Sequence, residues 1–175
     1  EVKLVSIYRD TLLELDDGSY NKANAAYAFG GPEGAVSLIN RNLDMNIEKY
    51  VTVNFNALVD VIDAVGGLDL ELTHDEVVHM NNYCVETSKV TGKSYEKIEP
   101  EVEGTYHLNG VQAVSYSRIR YTAGGDFKRA ERQRLVLQKI ADKVQNMSVG
   151  TVNKIIDSVF PQISTNFTLA EMIGY

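Results

Sequence analysis

Residues 50–72 constrain the fold more tightly than any other stretch of the chain. Tyr50 to Phe55 holds the β-branched run Val51, Thr52, Val53, the composition of a strand. Asn56 then precedes A-L-V-D-V-I-D-A-V, which reads as a short helix capped by Asn56 and ended by Gly66-Gly67. Leu68 to Leu72 follows as another strand. Strand, helix and strand within about 25 residues is the βαβ order, and it favours an α/β domain. At 175 residues, 44% hydrophobic and 23% charged, the chain has the size and composition of one soluble domain with a substantial core.

The remaining elements are read from apolar spacing and punctuation. Val2 to Tyr8 reads as a strand buried on both faces that meets solvent at Arg9-Asp10. Asp16-Asp17-Gly18 is a turn signal. Pro32 opens a helix running to Leu43, with Val36, Ile39 and Leu43 on one face. Residues 85–105 lack periodicity and read as a long polar loop. Gly110 to Ser117 is a short helix or turn, Asp126 to Asn146 the strongest helix, and Val149 to Phe160 another, broken by Pro161. Thr168 caps a last helix reaching Tyr175. The opening residues look like mid-sheet sequence, so the chain reads as a piece of a longer protein. It contains no run of about 18 apolar residues.

Several chemistries are disfavoured. A lone Cys84 allows neither an internal disulfide nor a cysteine metal cluster, and it reads as a packing residue. His74 and His79 stand five apart, off the register of a helical metal pair. A formal charge of −7 argues against a nucleic-acid coat.

Against that acidic background, S-R-I-R-Y-T-A-G-G-D-F-K-R-A-E-R-Q-R at 117–134 gathers six basic residues and two acidic ones. Asp126 reads as the N-cap of the long helix, which puts Lys128 and Arg129 in its first turn. That is the wrong sign for the helix dipole unless an anion sits there. Arg129 shares a helix face with Arg132 and Gln133. If Arg118-Ile119-Arg120 is extended, both guanidinium groups face one side while Ile119 packs on the other. Arginine suits bidentate phosphate capture. A merely solvated basic face, with Glu131 pairing locally, is the competing reading.

Five motif blocks carry a resemblance: S-I-Y-R-D-T (6–11), N-K-A-N-A-A-Y-A-F-G-G (21–31), Y-V-T-V-N-F (50–55) with V-I-D-A-V-G-G-L-D (61–69), L-N-G-V-Q-A-V-S-Y-S-R-I-R (108–120) and G-D-F-K-R-A-E-R-Q (125–133). In this order they resemble the LytR-CpsA-Psr family. The resemblance implies an α/β/α sandwich with a central mixed sheet flanked by helices. It also implies an extracytoplasmic, membrane-anchored bacterial phosphotransferase. Such an enzyme attaches an anionic glycopolymer, such as teichoic acid or capsular polysaccharide, from a polyprenyl-pyrophosphate carrier to peptidoglycan. No nucleic acid is implied.

Matched block by block, Arg9, Arg118 and Arg120 become pyrophosphate contacts, with Arg129 and Gln133 lining the same head-group site. Asp126 is the acidic residue of its block, and Asp10, Lys22 and Asn24 lie near the cleft. Asp10 or Asp126 is the local candidate to accept a proton. Phe55, Leu58, Val59, Ile62, Leu135, Leu137, Ile140, Ile155 and Val159 could line a lipid tunnel, or simply form core. Mg²⁺ is implied too, held by acidic residues upstream of the S-I-Y-R-D block that this chain does not include. A non-catalytic polyprenyl-phosphate-binding or regulatory domain is the alternative.

Overall fold

The computed structural model describes residues 3–168 and Glu171. Its elements run β1 (Leu12–Glu14), β2 (Tyr20–Lys22), α1 (Ala23–Leu43), β3 (Val51–Val53), α2 (Phe55–Ala64), β4 (Leu68–Leu72), α3 (His74–Thr91), β5 (Gly104–Leu108), α4 (Gly110–Arg118), α5 (Gly125–Gln145), α6 (Val149–Val159), a 3₁₀ turn (Phe160–Gln162) and β6 (Ile163–Thr165). The class is α/β, as expected. The strands pair two by two, as β1–β2, β3–β6 and β4–β5. The described residues fall into two compact units, 3–52 with 164–168 and 171, and 53–163.

In the second unit, β4 alternates buried and exposed residues, and Leu68, Leu70 and Leu72 point into the core. It pairs antiparallel with β5, Leu68 opposite Leu108 and Leu72 opposite Gly104. The βαβ order of the sequence does not become a β3–β4 pair, because β4 takes its partner from after α3. Around the pair pack Val59 and Ile62 of α2, Val77, Met80 and Cys84 of α3, Val111 and Val114 of α4, Ile119, and Val136 of α5. Helix α4 is central, with Gly110 to Ser117 all buried. Gly110 permits its close approach to α2, since a Cβ there would lie 2.4 Å from the Val59 carbonyl oxygen.

In the first unit, β1 and β2 form an antiparallel hairpin whose turn holds the expected Asp16-Asp17-Gly18. Asp17 Oδ1 accepts from the Ser19 backbone at 2.9 Å and from its hydroxyl at 2.6 Å. Helix α1 is kinked at Gly31 (φ 63°, ψ −154°), so Pro32 does open a new helical segment ending at Leu43. Its buried position is Leu38, however, and Leu43 is exposed.

Three local expectations are corrected. Lys3 to Tyr8 has no regular structure and Val5 is 83% exposed, because no strand pairs with this run among the described residues. Asn54, not Asn56, caps α2, its Oδ1 accepting from Ala57 N at 2.8 Å, since Phe55 is already helical. Residues 85–91 belong to α3, which closes at Gly92, so the polar loop is confined to 92–103. The helix expected after Thr168 lies outside the described residues beyond Glu171.

Candidate functional site

Arg118 is the last residue of α4, and α3 fixes its guanidinium. Nη1 donates to Thr87 Oγ1 at 2.9 Å and Nη2 to Glu86 Oε2 at 2.8 Å. The Phe55 and Tyr83 rings lie against it, with centroids 4.7 and 5.3 Å from Cζ. Its side chain is only 14% exposed. After it the chain turns extended at Ile119 (φ −56°, ψ 129°), which is fully buried. The expected inward packing of Ile119 is what the structure has, although Arg118 itself is helical.

Arg120 faces α5 instead. Its Nε stands 3.3 Å from Asp126 Oδ1. Both atoms are shielded from solvent, and neither makes a hydrogen bond, so the two charges are close without being aligned. Asp126 does not cap α5. Gly124, in the left-handed region at φ 95°, occupies the cap, and Asp126 lies within the first turn, where its sign suits the dipole. Lys128 pairs with Glu131 at 2.8 Å and belongs to a solvated face. Arg129 follows half-buried on α5, and Gln133 is exposed one turn later.

Arg132 is different in kind. The sequence sets it among the cations of the basic stretch, yet it is 5% exposed. Its Nε donates to Glu76 Oε1 at 2.9 Å, Nη2 to Thr122 Oγ1 at 2.7 Å, and Nη1 to the Ile119 carbonyl at 3.3 Å. Arg132 thus ties the turn that carries Arg118 and Arg120 to both α5 and α3. Glu76 also completes a capping box with Thr73 at the start of α3. Glu76, Thr87 and Tyr83 escaped the sequence reading because α3 itself did. The T-x-x-E pattern at 73–76 was the available signal.

In the first unit, Arg9, Asp10, Lys22 and Asn24 form one cluster. Asp10 Oδ1 lies 3.0 Å from Lys22 Nζ and 3.6 Å from Arg9 Nε. The Asn24 backbone N–H donates to the Arg9 carbonyl at 3.1 Å. With its amide oriented to satisfy both ends, Asn24 also donates to that carbonyl at 2.8 Å and accepts from Arg9 Nη2 at 3.0 Å.

Of the residues considered for a lipid tunnel, Val59, Ile62 and Val159 are buried. Leu58, Leu135, Ile140 and Ile155 pack partly buried against the second unit's core. Leu137 is 48% exposed, and Phe55 presents its ring to Arg118. Cys84 is a packing residue, and burial pushes its thiol up to about 11.

The model of the LytR_cpsA_psr family matches residues 1–175. The chain belongs to that family. Among LytR_cpsA_psr relatives, it is 35% identical to the polyisoprenyl-teichoic acid–peptidoglycan teichoic acid transferase TagV of Bacillus subtilis, over 97% of this chain and 42% of the relative. It is 34% identical to biofilm regulatory protein A of Streptococcus mutans, over 98% of this chain and 43% of the relative. The solved structure described as TagT bound to LIIa-WTA superposes with a TM-score of 0.72 at 27% identity, covering 96% of this chain and 59% of that one. The chain spans about half the length of the curated relatives it matches.

Among the described residues, no helix is long and apolar enough to cross a membrane. No group of three or more His, Cys, Asp or Glu among them could hold a metal ion. Asp10 and Asp126 are each engaged with cations. The described residues therefore do not fit a magnesium site.

Proposed function

We propose that this chain is the transferase domain of an extracytoplasmic, membrane-anchored enzyme that moves an anionic glycopolymer from polyprenyl pyrophosphate to peptidoglycan. A sugar hydroxyl of peptidoglycan attacks the polymer-linked phosphorus. The new P–O bond forms as the bond to the bridging oxygen breaks, and polyprenyl phosphate leaves with that oxygen. Such a transfer depends on positioning and on stabilising negative charge, both of which arginines supply. Arg118 and Arg120 bind the phosphates, and Arg129 and Gln133 extend that surface along α5. Arg9, with Lys22 and Asn24 beside it, is a further arginine suited to binding phosphate. The proton released by the hydroxyl passes to a carboxylate, Asp126 or Asp10. No step is assigned to magnesium.

The observation that carries the reading is the Arg120–Asp126 pair: a shielded donor and a shielded acceptor 3.3 Å apart with no hydrogen bond between them. Two shielded polar atoms left in that state cost stability unless a water or a ligand completes them. A phosphoryl oxygen would take the Arg120 N–H, and an attacking hydroxyl would donate to Asp126. The name of TagV and the ligand in the TagT structure support the same substrate class.

A non-catalytic regulatory domain that binds polyprenyl phosphate is the second reading, favoured by the name of the Streptococcus relative. Native mass spectrometry of the purified protein should detect bound prenyl phosphate under either reading. Turnover of lipid-linked polymer onto peptidoglycan by the full-length protein supports transfer. Prenyl-phosphate binding without turnover contradicts it and leaves the regulatory reading.

A further inference from the structure

Thr87 is fully buried in α3, and three polar groups converge on its hydroxyl. The Tyr83 carbonyl lies 3.0 Å from Oγ1, Ser115 Oγ 2.9 Å and Arg118 Nη1 2.9 Å. A threonine hydroxyl offers one proton and two lone pairs. A carbonyl can only accept, so the Thr87 proton points at Tyr83. A guanidinium can only donate, so Arg118 fills one lone pair. Ser115 must then donate into the other. Every capacity of the hydroxyl is used, and the position of Arg118 Nη1 follows from that arrangement.

The support is also neutral. Thr87 orients the guanidinium without cancelling its charge, which stays available to an anion. Glu86 does pair with Nη2, but its side chain is 62% exposed and well solvated, which weakens its hold on the charge. The Phe55 and Tyr83 rings limit the tilt of the guanidinium plane. Two of the five guanidinium N–H groups are used by Thr87 and Glu86, and others remain for a ligand.

We infer that Thr87 is a positioning residue, its saturated hydroxyl holding the Arg118 guanidinium in the orientation that receives a phosphate. The inference rests on the reading of Arg118 as a phosphate contact. Thr87→Val keeps the shape of the side chain and removes the hydroxyl, leaving Arg118 Nη1 and the Ser115 proton without their acceptor. Binding of farnesyl pyrophosphate to the full chain, measured by calorimetry, should weaken by about tenfold in Thr87→Val, the loss typical of one hydrogen bond to a charged group. Thr87→Ser restores the hydroxyl and should bind like the unmodified chain. Thr87→Val added to Arg118→Ala should cause no further loss, because the two act through one contact. Thermal unfolding of each variant separates lost positioning from lost structure, and Thr87→Ala takes the place of a valine variant that does not fold.

Wild-type affinity in a folded Thr87→Val chain whose Arg118→Ala counterpart binds weakly overturns this inference alone. So does an additive loss in the double variant. Wild-type affinity in Arg118→Ala overturns the phosphate reading of Arg118 and this inference with it.

Discussion

Arg132 shows what one buried charge does for its neighbours. Its side chain is 6% exposed, and its partner Glu76 is 15% exposed. Arg132→Ala would leave Glu76 and the Ile119 carbonyl without their donor in a poorly solvated place. We expect that variant to lose about 3 kcal/mol of stability, the scale for breaking a buried ion pair from one side. Urea denaturation checks it, and a loss below about 1 kcal/mol would contradict the role. Gly110 is constrained by space instead. A methyl group there would meet the Val59 backbone rather than a movable side-chain end. Gly110→Ala should therefore cost roughly 1–3 kcal/mol, seen as a lower melting temperature. Neither role is written in local sequence. Arg132 looks like its neighbours Arg129 and Arg134 until α3 and the Ile119 turn close over it.

At the scale of elements, α3 holds Arg118 and Arg132 through Glu76, Tyr83, Glu86 and Thr87. Thr73→Ala removes the side-chain half of its capping box and should cost about 1 kcal/mol, measurable in urea. Asp60 on α2 gives a pH-dependent counterpart. It is bonded to Lys93 and accepts from Gln162 Nε2 at 2.7 Å, joining α2 to the turn after α6. The Lys93 contact, then Gln162, hold the Asp60 carboxyl below the ordinary aspartate value. Because the folded-state pKa is the lower one, this contribution is complete above the unfolded value, about 3.9. It is lost as pH falls through the lowered value. Asp60→Asn should cost roughly 1 kcal/mol or less at neutral pH, and the difference from the parent should vanish in acid. Acid titration of stability for both proteins tests that sign.

Sequence pattern made β4, α4, α5 and α6 legible, because their apolar spacing or punctuation is clean. Helix α3 was not, although its buried positions 77, 80, 81, 84 and 87 follow helical spacing. Asn81 and Thr87 lie on that buried stripe while Val85 and Val90 are exposed, so polarity and burial part company along it.

For the molecule as a whole, the concentration of arginine at 117–134 and the order of the motif blocks point to the family. What they could not supply was the division of labour within the stretch. Arg118 is held by α3, Arg120 faces Asp126, Lys128 pairs at the surface and Arg132 is structural. The Arg9, Asp10, Lys22 and Asn24 cluster belongs to the first compact unit. The central claim is that Arg118 and Arg120 carry the phosphates during transfer. Its most direct test is transfer of polyprenyl-pyrophosphate-linked glycopolymer to peptidoglycan by the full-length protein and by its Arg118→Ala/Arg120→Ala variant. The account predicts a fall of at least about 10³-fold in a variant that remains folded, the scale at which charge-stabilising groups act. Transfer at the unmodified rate by the folded double variant would contradict it.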